Sequence, residues 1–221
     1  MSRPKLIYFN IQGRAEPIRL ALAAAGVDFD FEVVDKAAMK SDADHYPFHQ
    51  VPRYVDDEVD MVQSSGIMRH VARKHGLYGR NNAEMARVEE VLEGCNDLIM
   101  KLFVDCIGKM KEDPGATEAY WAARIDPASA GGPATFGAHM AFLGRLLARS
   151  SSGYFLESGL SAADLAMTFN MQLHMSALGR ERLAEQWSSL VALNDRVLAL
   201  PRIAAYLASP LHLPVLHPMA G

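Results

Sequence analysis

Up to Gly79, the spacing of apolar positions switches between the two-residue period of a strand and the longer period of a helix. Lys5-Leu6-Ile7-Tyr8-Phe9 is a short apolar run with β-formers and predicts a strand. Gln12-Gly13-Arg14 interrupts it. Ala15 to Ala25, rich in Ala and Leu with Pro17 near its start, predicts a helix that Gly26 ends. Phe29 to Val34 alternates apolar and acidic residues and predicts a second strand. Asp35 to His49 is polar and shows no clear period. Arg53-Tyr54-Val55 and Val59-Asp60-Met61-Val62 flank Asp56-Asp57-Glu58 in the pattern of a hairpin. Ser64 and Ser65 are placed to cap a helix from Gly66 to His75, stopped by Gly76-Leu77-Tyr78-Gly79. The predicted order is β-α-β-α-β-β-α. A βαβ crossover favours a parallel pair, and the hairpin adds antiparallel strands to the same sheet.

After Asn82 the strand signals vanish. Ala83 to Met110 carries apolar residues at helical spacing, and Thr135–Ala148, Ser161–Leu178, Leu183–Leu200 and Ile203–Leu207 predict further helices. Ser129–Pro133 reads as a loop and Ser150–Gly153 as a turn. The boundary falls near Leu77–Asn82. It separates a small α/β domain, residues 1–79, from an all-helical one, residues 80–221.

Composition narrows the function class. Half of the chain is hydrophobic, so a core is available, and a net charge of -4 with no basic block argues against nucleic acid as a partner. Charge breaks every apolar stretch before the ~18–20 residues a membrane span needs. Asn10, Gln12, Arg14 and Glu16 stand where a signal peptide would be apolar, so the expected location is the cytoplasm, with no membrane partner. Cys95 and Cys106 lie eleven residues apart on one predicted helix. That is roughly 16 Å of rise, too far for a disulfide. The histidines show no spacing that gathers three or four ligands, so no metal site is expected.

Several segments, in register from residue 5 to residue 210, carry a family likeness. Tyr8-Phe9-Asn10-Ile11-Gln12-Gly13-Arg14-Ala15-Glu16 resembles the N-terminal motif of tyrosine-type cytosolic glutathione transferases. Gln50-Val51-Pro52, Val62-Gln63-Ser64-Ser65-Gly66-Ile67 with Arg69-His70, and Ser161-Ala162-Ala163-Asp164 are similar to further motifs of that family. Gly76-Leu77-Tyr78-Gly79 and Leu207-Ala208-Ser209-Pro210 look like the pi class, whereas the Tyr8-to-Gln50 spacing looks like the sigma class. The resemblance implies a thioredoxin-like α/β N-terminal domain, without the CxxC of thioredoxins, followed by an all-α C-terminal domain.

It also implies roles. Tyr8 and Arg14 are the catalytic pair, Tyr8 donating a hydrogen bond to the glutathione thiolate. A free thiol with a pKa near 8.5 is only a few per cent ionised at pH 7. Glutathione-binding positions are Tyr8, Arg14, Met39, Gln50, Val51, Pro52, Gln63, Ser64 and Asp97. Pro52 is expected to be cis. Asp97 is expected to reach the γ-glutamyl amine bound by a partner subunit. Met39 and Ala43 replace the tryptophan and lysine that hold the glycine end in relatives, which leaves Lys36, Lys40 and His49 as candidates there.

Met100, Phe103, Val104 and Ile107 form an i, i+3, i+4, i+7 stripe that suits a core, an interface or a ligand wall. The resemblance assigns Met100, Phe103 and Ile107, with Phe9 and Ile11, to a pocket between the domains for a hydrophobic electrophile. Phe48 is the expected anchor of a two-fold homodimer. Glutathione is a co-substrate and no other cofactor is implied. The implied activity is conjugation of glutathione to electrophiles, a detoxification chemistry. A sigma-type glutathione-dependent isomerase and a non-catalytic, crystallin-like relative are the alternatives.

Overall fold

The computed structural model describes residues 3–110, 112–128 and 139–214. These residues form two compact units. One holds the described residues up to Tyr78 together with those from Ala199 onward, and the other runs from Gly79 to Leu198.

The first unit is built on a four-stranded sheet of β1 (Lys5–Tyr8), β2 (Asp30–Val33), β3 (Arg53–Val55) and β4 (Asp60–Val62), in the order β2-β1-β3-β4. β1 pairs parallel with β2 and antiparallel with β3, so it lies inside the sheet. Leu6, Ile7 and Tyr8 are accordingly all buried, the signature of a strand covered on both faces. The helix α1 (Glu16–Ala25) buries Ile18, Leu20, Ala21 and Leu22 and ends at Gly26 in the left-handed conformation that favours glycine. At the tip of the β3–β4 hairpin, Asp56 Oδ1 accepts the N–H groups of Glu58 and Val59, each at 2.9 Å.

Two local features depart from the sequence pattern. The polar stretch after Asp35 contains a short helix, α2 (Lys36–Ser41), whose cap is the Asp35 carboxylate accepting the Ala37 N–H at 2.8 Å. None of its residues is buried, so it left no apolar period to read. The next helix, α3 (Ser64–Lys74), begins at Ser64 rather than Gly66. Ser64 is therefore not its cap. Gln63 holds that position, with φ 79° and no side-chain bond to the helix. The free N–H groups of the first turn are thus left without a side-chain lid.

In the second unit, α4 (Asn82–Lys101) is capped by Asn81, which accepts the Glu84 N–H at 3.0 Å. The single helix expected to Met110 widens into a π-helical segment, Leu102–Ile107, closed by Gly108 N–H donating to Phe103 O at 2.8 Å. The sequence reading missed α5 (Ala116–Tyr120) and the π-helical turn Trp121–Ile125. Of the helix expected over Thr135–Ala148, the described part is α6 (His139–Leu147). Its start and the Ser129–Pro133 loop lie outside the described residues.

The helix α7 (Ala162–Leu178) is buried on nearly every side, as an apolar central helix must be. Its capping box, Ser161 with Asp164, forms as expected. The stretch Leu183–Leu200 is two helices, α8 (Arg180–Gln186) and α9 (Ser188–Leu198). Trp187 breaks them, and its indole N–H donates to Ile125 O at 3.1 Å. The last helix, α10 (Pro201–Leu207), belongs to the first unit and packs on α1. Cys95 and Cys106 are both buried and free.

Candidate active site

Tyr8 ends the central strand β1, with its side chain buried. The backbone N–H of Arg14 donates to its hydroxyl oxygen at 3.1 Å. That bond occupies a lone pair and leaves the phenolic proton to be given to another group. Burial raises the pKa of the phenol above its usual value, opposed by the Arg14 N–H and by the charges of Arg14 and Arg19. Tyr8 therefore keeps its proton at neutral pH. Gly13, at φ 45°, makes the arrangement possible, because a Cβ there would stand 2.6 Å from the Tyr8 hydroxyl.

The chain neighbour of Tyr8, Phe9, and its hydrogen-bond partner, Arg14, line a cleft of about 430 Å³ with Met39, His49, Gln50, Val51, Gln63 and Ser64, while Tyr8 itself is not among the lining residues. Six of the glutathione-binding positions expected from the sequence share this cleft, and so does Phe9. Pro52 is buried, and the Val51–Pro52 peptide is cis. On the α3 wall, Gln63 Nε2 donates to Gln50 Oε1 at 3.0 Å. On the α2 wall, His49 Nδ1 donates to the carbonyl of Met39 at 3.2 Å. His49 and Gln63 are the non-glycine residues with positive φ among the described residues, at 50° and 79°. Backbone strain of this kind gathers at ligand clamps. The Met39 side chain packs on the Ile7, Val34, Tyr46 and Val62 cluster, so it is part of the core as well as of the cleft.

The remaining expected site residues lie elsewhere. Ile11 is half-buried on the loop after β1. Asp97, Met100, Phe103 and Ile107 belong to the second unit. Asp97 is exposed, with His139 Nε2 at 4.0 Å, and Met100 is exposed too. Phe103 and Ile107 are half-buried on the π-helical segment, and Val104 is exposed, while Leu102 and Cys106 take the core positions. Phe48 is 60% exposed. Among the described residues, no His, Cys, Asp and Glu side chains gather to hold a metal ion, and no helix is long and apolar enough to cross a membrane.

A buried polar cluster under the loop 11–13 escaped the sequence reading. Arg19 and Glu16 are fully buried and paired at 3.2 Å. Burial pushes the Glu16 carboxyl up, and Arg19 and the hydroxyl of Tyr206 pull it back. The spacing of Glu16 and Arg19 at i, i+3 was the available signal, but it reads equally as an exposed helical pair.

Residues 4–73 match the family model of the glutathione S-transferase N-terminal domain, and residues 134–210 that of the C-terminal domain. The chain is 32% identical to glutathione S-transferase A of Cavia porcellus, over 93% of this chain and 89% of the relative. It is 29% identical to glutathione S-transferase P 1 of Xenopus laevis, over 92% and 91%. The solved structure of the pi-class glutathione S-transferase of Onchocerca volvulus superposes with a TM-score of 0.76 at 26% identity, covering 93% of this chain and 92% of that one. The four-stranded sheet, the helical second unit and these similarities lead to one assignment: the chain belongs to the glutathione S-transferase family.

Proposed function

We propose that this glutathione transferase joins the thiolate of glutathione to hydrophobic electrophiles, as a cytosolic detoxification enzyme, with Tyr8 donating the hydrogen bond that stabilises the thiolate. The observation that carries this reading is the Tyr8 hydroxyl, which accepts from Arg14 N–H and so keeps its own proton for donation. Arg14 adds positive charge beside the sulfur. The open first turn of α3, with Gln63 and Ser64, receives the γ-glutamyl carboxylate, since unpaired N–H groups at a helix start favour an anion. The Val51 backbone pairs with the cysteinyl unit. Phe9 offers the electrophile an apolar face.

With one end of glutathione at α3, the glycine end falls on the α2 wall. His49 is the cleft residue there that can carry a positive charge. Its Nδ1 is committed to the Met39 carbonyl, so its contact with the glycine end is made through Nε2. Lys36 adds charge nearby, its Nζ 5.8 Å from the ring of Phe9. The test compares glutathione with γ-glutamylcysteine, which lacks glycine, in conjugation to a chloronitrobenzene. Wild type is expected to favour glutathione in kcat/KM by roughly tenfold or more, the worth of a charged hydrogen bond. His49→Gly, which also suits the positive φ, is expected to lose most of that preference. An unchanged preference in the variant removes His49 from the site, and no rate above the uncatalysed reaction in wild type overturns the enzymatic reading.

The exposed ring of Phe48 serves as the anchor of a two-fold homodimer, in which Asp97 meets the γ-glutamyl amine bound by the partner subunit. Aromatic anchors of this kind are worth about 2 kcal/mol or more. Phe48→Ala is expected to weaken dimerisation by roughly thirtyfold, read by sedimentation over a dilution series. A variant as dimeric as wild type, or a monomeric wild type, refutes the assignment.

A further inference from the structure

The loop that aims Tyr8 is held from behind by the end of the chain. Arg19 Nη1 donates to the carbonyls of Ile11 at 3.2 Å and Gln12 at 3.1 Å, and to Glu16 at 3.2 Å. The Tyr206 hydroxyl, on α10, lies 2.9 Å from both Glu16 oxygens. Two further bonds reach the loop directly from the tail. Gln12 Nε2 donates to His212 Nε2 at 2.9 Å, and Gln12 N–H donates to Pro214 O at 3.1 Å. Gln12 itself is buried. The next two residues are Gly13, against the Tyr8 hydroxyl, and Arg14, whose N–H fixes that hydroxyl.

The cluster is expensive. A buried ion pair seldom repays its desolvation, and here Arg19 Nε and Nη2 have no hydrogen-bond partner among the described residues, while the guanidinium carbon stands 4.8 Å from the centre of the Phe31 ring. Two apolar residues would fill the space at lower cost. What apolar residues cannot do is grip the Ile11 and Gln12 carbonyls and link them to α10.

We infer that the segment from Tyr206 to Pro214 is a positioning element for the active site, in which Tyr206, through Glu16 and Arg19, and His212, through Gln12, set the loop that orients the Tyr8 hydroxyl. Neither residue lines the glutathione cleft. Their loss therefore acts on the thiolate and not on glutathione binding. The inference rests on the proposed role of Tyr8.

The experiment uses the full chain as wild type, Tyr206→Phe, His212→Ala, His212→Gln and Tyr8→Phe. Three quantities are read: the pH midpoint of the bound glutathione thiol by thiolate absorbance, kcat against KM, and the unfolding temperature. Tyr206→Phe and His212→Ala are expected to raise the thiol midpoint by about half a unit, equivalent to about threefold in thiolate stabilisation. They are expected to lower kcat at pH 7 severalfold, with KM for glutathione within about twofold of wild type. His212→Gln, whose side-chain carbonyl can accept the Gln12 N–H, is expected to restore both. If the variants lower only the unfolding temperature, or if His212→Gln behaves as His212→Ala, the tail is merely structural and the inference fails. His212 is only partly buried, so this pair decides the matter even where Tyr206→Phe fails to fold. A Tyr8→Phe protein with an unshifted thiol midpoint overturns the Tyr8 role instead.

Discussion

Replacing Tyr8 by phenylalanine is expected to slow conjugation at pH 7 by about 25-fold while changing KM for glutathione by less than about threefold. The size follows from the thiol. With a pKa near 8.5, about 3% is thiolate at pH 7. A hydrogen bond to the charged form that lowers this pKa by about two units, roughly 2.7 kcal/mol, makes thiolate the majority species. The phenylalanine ring keeps the packing of β1 and removes the hydroxyl, which is both the proposed donor to the thiolate and the acceptor of the Arg14 N–H. The loss therefore depends on pH in a set direction. The wild-type rate rises through about pH 6.5 and levels off, whereas the variant rises through about pH 8.5, so the two converge in alkali. A loss of equal size at every pH would mean that Tyr8 does not act on thiol ionisation. Gly13→Ala tests the same geometry from the other side. Its Cβ would meet the Tyr8 hydroxyl at 2.6 Å, so the variant should show the same rightward shift with the hydroxyl still present.

The parts of the molecule that the sequence disclosed are those whose burial leaves a period. β1, α1, α7 and the β3–β4 hairpin bury one face or all faces, and their apolar spacing shows it. α2 has no fully buried residue, only Ala38 and Met39 partly so, and was invisible, although the Asp35 cap that starts it is an ordinary signal. The break at Trp187 was hidden for another reason. Apolar spacing continues across it, while the backbone at Trp187 leaves the helical region (φ -131°, ψ 44°) and its indole N–H donates to Ile125 O, sixty-two residues away in sequence. The π-helical turn at Leu102–Ile107 shifts the expected stripe, so that Leu102 and Cys106 are buried while Met100 and Val104 face outward. Within the candidate site, Tyr8, Gln50 and Ser64 were named through motif likeness alone, and Gln50 and Ser64 line the cleft. His49 was only one of three candidates until its positive φ and its bond to Met39 set it in the cleft wall. Arg19 carries no sequence mark that separates it from a surface arginine. Its importance exists only once α10 has returned to cover it.

Asp164→Ala is expected to cost about 3–5 kcal/mol of unfolding free energy at pH 7, which for the helical unit is a large share of a typical total. The carboxylate is fully buried and accepts three hydrogen bonds. Oδ1 takes the Phe155 N–H at 2.9 Å, and Oδ2 takes the Ser161 N–H at 2.7 Å and the Ser161 hydroxyl at 2.8 Å. Alanine leaves all three donors buried without a partner, each a penalty of about 1–3 kcal/mol. The same burial pushes the carboxyl pKa up to about 6, against 3.8 in the open chain. The folded state thus holds this proton more tightly than the unfolded chain does. The carboxyl contributes most at about pH 4 and below, and its contribution shrinks as the pH rises to about 6, by roughly 3 kcal/mol over about two units. Asp164→Asn keeps the shape and one acceptor oxygen and cannot ionise. Its stability deficit, measured by urea unfolding from pH 4 to pH 7, should therefore narrow as the pH rises. A deficit that widens with pH would show that ionisation of Asp164 stabilises the fold, and that the three hydrogen bonds outweigh the cost of burying its charge.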